Sequence, residues 1–431
     1  METLSIRFKS PSLTGKVAIP GSKSIGNRLL VLAYLGGRLH DYHPDNMATA
    51  DDTVRMRRLL DEVAAQRVVR AGGADNTGAV RLDCANAGTV LRFLTALLAF
   101  EPGEWLLDGS PRMRRRPIAP LVEALQAVGA DIRYAGEAGY PPLSIRGIEA
   151  ASVKTGDWAI DASLSSQYVS ALMLAGCRVP GGVRLRMTGE RTVSQPYIRM
   201  TAALLRAAGV AVGDAEAAAF EVCGLPTAAL PASVEPDWSS ASYFYGLLAL
   251  SAGGALHLPG FLKDSCQGDR IAAEWFEAWG IESRFEADGL HIERRTPRCP
   301  KRVALDFTHH PDLLQTMAVV CAASGVEARF TGIRNLKYKE TDRVAAVVTE
   351  LNRLRVTAET PDDDTLIIPS GQPEIKPETV VQTYGDHRMA LAFSMWAVVQ
   401  PITIAEPAVV GKSFEGYWTS LEALGAEIAL R

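Results

Sequence analysis

The sequence predicts an α/β fold in two similar halves, and three observations carry that reading. Six segments, beginning near residues 22, 86, 163, 237, 311 and 386, each join a polar or small-residue start to a mostly apolar stretch of about a dozen residues. Their starts recur at intervals of about 64 to 77 residues, the period of a supersecondary repeat. Behind each lies a second helical pattern, half apolar and half charged, and most of these end at a glycine that opens a short alternating stretch. Each repeat therefore reads as strand, buried helix, strand, amphipathic helix and strand, and six of them make two halves.

Taken in order, the buried helices are expected over Asn27–Leu35, Leu91–Ala99, Tyr168–Ala175, Ala241–Leu250, Leu313–Ala323 and Met389–Val399. Each is mostly apolar, which suits a helix enclosed by others rather than one lying on a surface. The amphipathic series is expected over Asp51–Val63, Pro117–Gly129, Pro196–Gly209, Gly268–Gly280, Thr341–Leu354 and Phe414–Gly425. Leu121, Ala124, Leu125 and Val128 show its stripe at helical spacing. Gly129-Ala130-Asp131-Ile132 and Gly425-Ala426-Glu427-Ile428 show the glycine stop passing into a strand. The proline-rich Pro231–Asp237 segment reads as one crossing between halves, and the Ile19-Pro20-Gly21 turn as another. Thr360-Pro361-Asp362-Asp363-Asp364 reads as a solvated turn.

Composition bounds the partners. The chain has 431 residues, 47% hydrophobic and 22% charged, with 45 Lys+Arg against 49 Asp+Glu and a formal net charge of −4. That balance fits a globular protein with more than one core and argues against coating nucleic acid or an anionic membrane. Six scattered cysteines (Cys84, Cys177, Cys223, Cys266, Cys299 and Cys321) form no C-x-x-C pair, which fits free thiols in a reducing compartment. The first residues carry no signal-peptide pattern and no apolar run reaches the roughly 20 residues of a membrane span, so a cytoplasmic protein is expected.

The polar starts carry the chemistry. A helix N-terminus presents unpaired N–H groups and a partial positive charge, and so attracts anions. Here those starts also gather cations, hydroxyls and amides: Lys23, Ser24 and Arg28; Asn86, Gly88, Thr89 and Arg92; Ser165, Ser166 and Gln167; then Lys339–Arg343, Asp386-His387-Arg388 and Lys412-Ser413. Such recurrence suits a small ligand bearing more than one phosphate or carboxylate. Each feature has a plainer reading beside it. Gly21–Ser24 alone is equally a solvated helix start, and it lacks the P-loop spacing, which excludes nucleotide hydrolysis. The Arg112–Arg116 run is equally an exposed basic face, and Lys339–Arg343 equally a surface ion pair. Asp312 is equally an N-cap. Adjacent His309 and His310 point different ways and make a poor metal pair.

In order along nearly the whole chain, these segments resemble the 5-enolpyruvylshikimate-3-phosphate (EPSP) synthase family. The resemblance rests on Pro20-Gly21-Ser22-Lys23-Ser24-Ile25-Gly26-Asn27-Arg28, Asn86-Ala87-Gly88-Thr89, Pro111–Ile118, Ser165-Ser166-Gln167 and Asp237–Phe244. Lys339-Glu340-Thr341-Asp342-Arg343, Asp386–Ala390 and Lys412-Ser413-Phe414 complete it. It implies a two-domain inside-out α/β barrel of six βαβαββ repeats, three per domain, closing around the ligands. One domain would comprise residues 1–20 and 235–431 and the other residues 21–234, with hinge crossings near 20–21 and 233–237. The implied reaction moves the enolpyruvyl group of phosphoenolpyruvate onto the 5-hydroxyl of shikimate 3-phosphate by addition and elimination. It implies no metal, no organic cofactor, no nucleic acid and no membrane, and a monomer acting on two small molecules in the shikimate pathway.

Carried over position by position, the resemblance assigns shikimate 3-phosphate to Lys23, Ser24, Arg28, Ser165, Ser166, Gln167, Ser194 and Tyr197, with Asp312, Asn335 and Lys339 on the ring hydroxyls. Phosphoenolpyruvate is assigned to Lys23, Asn86, Gly88, Arg116, Gln167, Arg343, His387, Arg388 and Lys412. Asp312 resembles the family's base and Glu340 its proton donor, with Lys23 assisting. Gly26, Gln195, Pro236 and Trp238 depart from the usual residues without touching the assigned chemistry. The related transferase acting on a UDP-sugar is the alternative, but its reactive loop carries a Cys where this chain has Pro111–Pro117 without one. A non-catalytic anion sensor or RNA-end-binding module is the alternative outside enzymes.

Overall fold

The computed structural model describes residues 2–71, 78–153, 156–216, 219–371 and 379–431. They form two compact units, one of residues 1–22 with 235–431 and the other of residues 23–234.

In the unit of residues 23–234, the buried series appears as helices Lys23–Leu35, Gly88–Ala99 and Ser166–Gly176. Nearly every residue of Gly88–Ala99 is enclosed, as its mostly apolar composition favours. The amphipathic series follows as Asp51–Ala71, Ala119–Ala127 and Gln195–Ala207. The second and third pairs are each joined to a sheet of one design. Val80–Asp83 runs parallel to Gly103–Asp108, which pairs antiparallel with Leu143–Gly147, itself antiparallel to Asp131–Tyr134. Gly156–Asp161, Val183–Thr188, Ala219–Cys223 and Ala211–Glu216 repeat that order. The buried helix is the crossover that a parallel pair demands.

Among the described residues, two sheets belong to this unit where three repeats lead one to expect three. Between Lys23–Leu35 and Asp51–Ala71 the described chain forms no strand. Gly36–Ala50 supplies the reason: Gly36-Gly37, Pro44 and a left-handed Asn46 (φ 54°) interrupt any two-residue alternation. A single bridge from Asp45 to Ser233 stands in its place.

The unit of residues 1–22 and 235–431 holds three four-stranded sheets of the same design. Arg302–Asp306, Glu327–Thr331, Thr365–Ile368 and Glu359–Asp362 make one, and the aspartates Asp363 and Asp364 turn between its last two strands. A second is Ser12–Lys16, Gly253–Pro259, Gly289–Arg294 and Glu282–Glu286. In the third, the N-terminal strand Thr3–Phe8 lies between Ile402–Ala405 and Ala426–Leu430, so the two ends of the chain complete one repeat together. Buried helices Trp238–Leu250, Leu314–Ser324 and His387–Ser394 fill the core. The last two differ from expectation in detail: a 3₁₀ turn, Pro311–Leu313, precedes one, and another, Met395–Val398, ends the other. Gly246 lets them close, since a Cβ there would lie 2.2 Å from Met395 Sδ and 3.1 Å from Val320 Cγ2.

The stretches 20–22 and 235–237 pair with each other. The Ser22 N–H donates to the Glu235 carbonyl at 2.8 Å and the Asp237 N–H to the Pro20 carbonyl at 3.0 Å, around an antiparallel bridge from Gly21 to Pro236. Among the described residues no helix is long and apolar enough to cross a membrane.

Candidate active site

In the unit containing both termini, the site is built on helix starts. Asp386 caps the helix His387–Ser394, its carboxylate accepting from the Arg388 N–H at 2.9 Å. Its other oxygen accepts from Arg343 Nε at 2.9 Å. Arg343 opens the helix Arg343–Arg353, capped in turn by Asp342, and is only 2% exposed. Its two remaining nitrogens donate to Asp312 Oδ1 at 2.7 Å and Glu340 Oε2 at 2.8 Å. Three carboxylates thus fix one guanidinium, each using a separate nitrogen. Arg388 Nη2 lies 2.8 Å from the second oxygen of Asp312, and its Nη1 donates to Tyr243 Oη at 3.3 Å. Lys412 Nζ donates to the Gly385 carbonyl at 2.6 Å, just ahead of the same cap. Asn335 lies in the 3₁₀ turn Arg334–Tyr338, and Lys339 follows it, both half-buried. His387 is enclosed at the first position of its helix, its Nδ1 3.6 Å from Asp386 Oδ1.

These placements settle the plainer readings. Asp312 lies within the turn Pro311–Leu313 and directs both carboxylate oxygens at arginines, so capping is not its role. Arg343 is buried, which removes the surface-pair reading of Lys339–Arg343. His310 packs edge-on against Trp275 at 5.6 Å.

Charge is set by opposition. Burial by itself would raise the Asp312 carboxyl, but Arg388, Arg343 and Lys339 hold it well below the usual carboxylate range. Burial likewise works against the charge of Arg343, yet Asp386, Glu340 and Asp312 hold it more firmly protonated than an ordinary arginine. Burial pushes the Tyr243 hydroxyl up to about 12 even though Arg388 opposes it, so at neutral pH it stays protonated. Asp312 is an ionised acceptor at neutral pH, as a base must be. Glu340 accepts from Arg343, so in this arrangement it offers a lone pair rather than a proton.

In the unit of residues 23–234 the sequence-predicted residues fall into three linked groups. Arg28 (2% exposed) ties the first and third repeats: its Nε donates to Thr201 Oγ1 at 2.7 Å, Nη1 to the Ser24 carbonyl at 2.8 Å, and Nη2 to Ser170 Oγ at 3.1 Å and the Tyr197 carbonyl at 3.2 Å. Ser194 immediately precedes that last helix in a left-handed conformation, φ 51°. Lys23 Nζ stands 3.0 Å from Asp52 Oδ2. The second group surrounds Gly88, the first residue of its helix. Arg116 Nη1 donates to the Asn86 carbonyl at 3.0 Å and Arg92 Nη1 to the Gly88 carbonyl at 3.1 Å. A Cβ on Gly88 would lie 2.5 Å from Arg116 Nη2 and 2.6 Å from Arg92 Nη1, so the missing side chain is what lets both guanidinium groups approach. The Arg112–Arg116 run divides: Arg114 and Arg115 face solvent from the 3₁₀ turn Met113–Arg115, while Arg116 turns inward. The third group is the start of Ser166–Gly176, where Ser165 caps the Gln167 N–H and Ser166 is buried. Gln167 Nε2 reaches back to Thr89 Oγ1 at 3.0 Å, joining this group to the second.

Some functional partners were missed from sequence. Asp52, Thr201, Ser170 and Tyr243 each hold an assigned side chain, but each is remote in the chain from what it holds and carries no local signal. Asp386 had one, the N-cap position before an apolar helix, yet only its neighbours were assigned roles. Gly26 is explained by packing: a Cβ there would lie 2.9 Å from Met47 Sδ. Trp238 is buried edge-on against Phe261 at 4.9 Å.

A sequence profile described as EPSP synthase (3-phosphoshikimate 1-carboxyvinyltransferase) matches residues 9–421. Similar proteins named 3-phosphoshikimate 1-carboxyvinyltransferase include one from Bacteroides fragilis, 38% identical over 420 residues (97% of this chain and 97% of that protein). Another, from Laribacter hongkongensis, is 38% identical over 427 residues (96% and 98%). Among solved structures, an EPSP synthase from Acinetobacter baumannii superposes with a TM-score of 0.75 at 21% identity over all of both chains. The enolpyruvyl transferase NikO from Streptomyces tendae gives 0.71 at 15%, over 100% of this chain and 99% of that one, a likeness of fold. With its profile matched almost end to end and its relatives matched over nearly their full lengths, the chain belongs to the EPSP synthase family.

Proposed function

We propose that this chain transfers the enolpyruvyl group of phosphoenolpyruvate to the 5-hydroxyl of shikimate 3-phosphate, releasing phosphate. Asp312 takes the hydroxyl proton as that oxygen bonds to C2 of phosphoenolpyruvate, while the C3 methylene gains a proton and becomes a methyl group. Loss of that methyl proton with departure of phosphate then gives the enol ether. The single observation that carries this reading is the half-buried carboxylate of Asp312 held ionised between Arg343 and Arg388.

Lys23, Asn86, Gly88, Arg116 and Gln167 bind phosphoenolpyruvate together with Arg343, His387, Arg388 and Lys412. Shikimate 3-phosphate takes Lys23, Ser24, Arg28, Ser165, Ser166, Gln167, Ser194 and Tyr197, with Asn335 and Lys339 beside Asp312 on its ring. An incoming dianion replaces a carboxylate on Arg343; where Glu340 is the one displaced, it is free to carry a proton to C3. The net charge of −4 argues against non-specific binding to nucleic acid or an anionic membrane, and the proposal includes a monomer acting in the cytoplasm.

The test is phosphate release from the purified protein. Release that requires both phosphoenolpyruvate and shikimate 3-phosphate supports the reading. Release that proceeds with a UDP-sugar acceptor and fails with shikimate 3-phosphate overturns it.

A further inference from the structure

A second cluster of ligand atoms stands apart from every residue assigned above, on the sheet Glu282–Glu286, Gly289–Arg294, Gly253–Pro259 and Ser12–Lys16. His257 and His291 face each other directly across the antiparallel pair of its two central strands. Their neighbours Leu256, Leu258, Leu290 and Ile292 are all buried in the core, so the alternation of a strand turns both imidazoles to the opposite face. The rings stack with centroids 4.2 Å apart and planes 8° from parallel.

Asp288 completes the set. It occupies the two-residue loop between Glu286 and Gly289, whose pairing closes the hairpin. Its Oδ2 lies 3.1 Å from His257 Nε2 and its Oδ1 3.1 Å from His291 Nε2. Two imidazole nitrogens and a carboxylate oxygen, each within 4.8 Å of the others, are thereby presented from a short hairpin and the strand beside it. Glu286 Oε2, 3.8 Å from His291 Nε2, brings a second carboxylate to the same edge.

The geometry points to a binding site here for a borderline divalent transition ion, zinc in the first instance. Zinc takes four ligands at about 2.0–2.2 Å from His nitrogen and carboxylate oxygen, which places neighbouring donor atoms roughly 3.3 Å apart. The two nitrogen–oxygen separations of 3.1 Å already approach that edge, and the stacked rings must tilt out of parallel to direct both nitrogens onto one ion. Glu286 or a water supplies the fourth ligand. Two neutral imidazoles and two carboxylates balance a dication. The flanking cations are Lys16 and Arg284, which pair opposite His257 and His291, and the Arg284 guanidinium is engaged by Glu293 at 2.7 Å. Magnesium and calcium, which prefer all-oxygen shells, suit this donor set poorly. The bound ion clips the hairpin to the adjoining strand and takes no part in enolpyruvyl transfer, so the site stands whether or not the proposed reaction is correct.

Chelator-stripped protein titrated with Zn²⁺ tests it. One equivalent is expected to bind and to raise the unfolding temperature, with no such rise from Mg²⁺. His257→Ala, His291→Ala and Asp288→Asn are each expected to weaken zinc affinity by at least about tenfold. All three positions are partly exposed, so the variants should fold, and undiminished enolpyruvyl-transfer turnover or unchanged circular dichroism verifies that. Co²⁺ loaded in place of zinc should show visible d–d bands without a thiolate charge-transfer band, which separates this site from the cysteines. Absence of stoichiometric binding, affinity indifferent to the two histidines, or a thiolate band would each overturn the assignment.

Discussion

Arg343 shows how much one side chain organises here. Removing any one of its three carboxylate partners leaves a buried guanidinium nitrogen without its acceptor, a change that costs roughly 1–3 kcal/mol. Asp312 is therefore best probed as Asp312→Asn, which keeps the shape of the site. Turnover is expected to fall about 10²- to 10⁴-fold, the usual worth of a positioned base, while shikimate 3-phosphate still binds in calorimetry. Near-normal turnover would remove Asp312 from the chemistry. The pH dependence follows from the direction of its shift. A carboxyl depressed on folding adds stability that is fully present above its unfolded value of about 3.9 and is lost as pH falls through the lower folded value. Asp312→Asn should accordingly flatten the loss of unfolding temperature on acidification below about pH 4, whereas an identical acid profile would deny that the shift exists. Gly88→Ala places a Cβ against Arg116 and Arg92. Its KM for phosphoenolpyruvate should rise about tenfold or more, the equivalent of 1.4 kcal/mol, with a smaller change for shikimate 3-phosphate. Equal changes for both substrates would point to general disruption instead.

At the scale of elements, the sequence was most legible where structure is local. Helices that are mostly apolar, such as Gly88–Ala99, could be read within a few residues because their hydrophobic run lies entirely near in the chain. The missing sheet after Lys23–Leu35 shows the limit of the repeat: periodic helices persisted where the strand-forming alternation had gone. The side of the Arg112–Arg116 run that turns inward was equally hidden, because a 3₁₀ turn and one extended residue decide it. Gly246→Ala tests how closely the central helices of its unit meet. The added methyl strikes Met395, itself fully buried, and should cost about 1–3 kcal/mol of unfolding free energy in denaturant titration. A neutral result would show that this packing is looser than the distances indicate.

For the molecule as a whole, connectivity governs what a sequence reveals. The strand Ser12–Lys16 pairs with Gly253–Pro259, and residues 23–234 form their own unit between them in the chain. Thr3–Phe8 likewise finds its partners at Ile402–Ala405 and Ala426–Leu430. Such pairings depend on register across hundreds of residues, which no local pattern encodes. The identity of the candidate site residues was legible from their motifs; their partners Asp52, Thr201 and Tyr243 were not. The central claim is the proposed assignment of phosphoenolpyruvate to Lys23, Arg116, Arg343 and Lys412, and its most direct test is the phosphoenolpyruvate dependence of phosphate release in Lys23→Ala, Arg116→Ala, Arg343→Ala and Lys412→Ala. All four should raise its KM or abolish turnover in folded protein, and a wild-type KM retained by both variants of either unit would contradict the account.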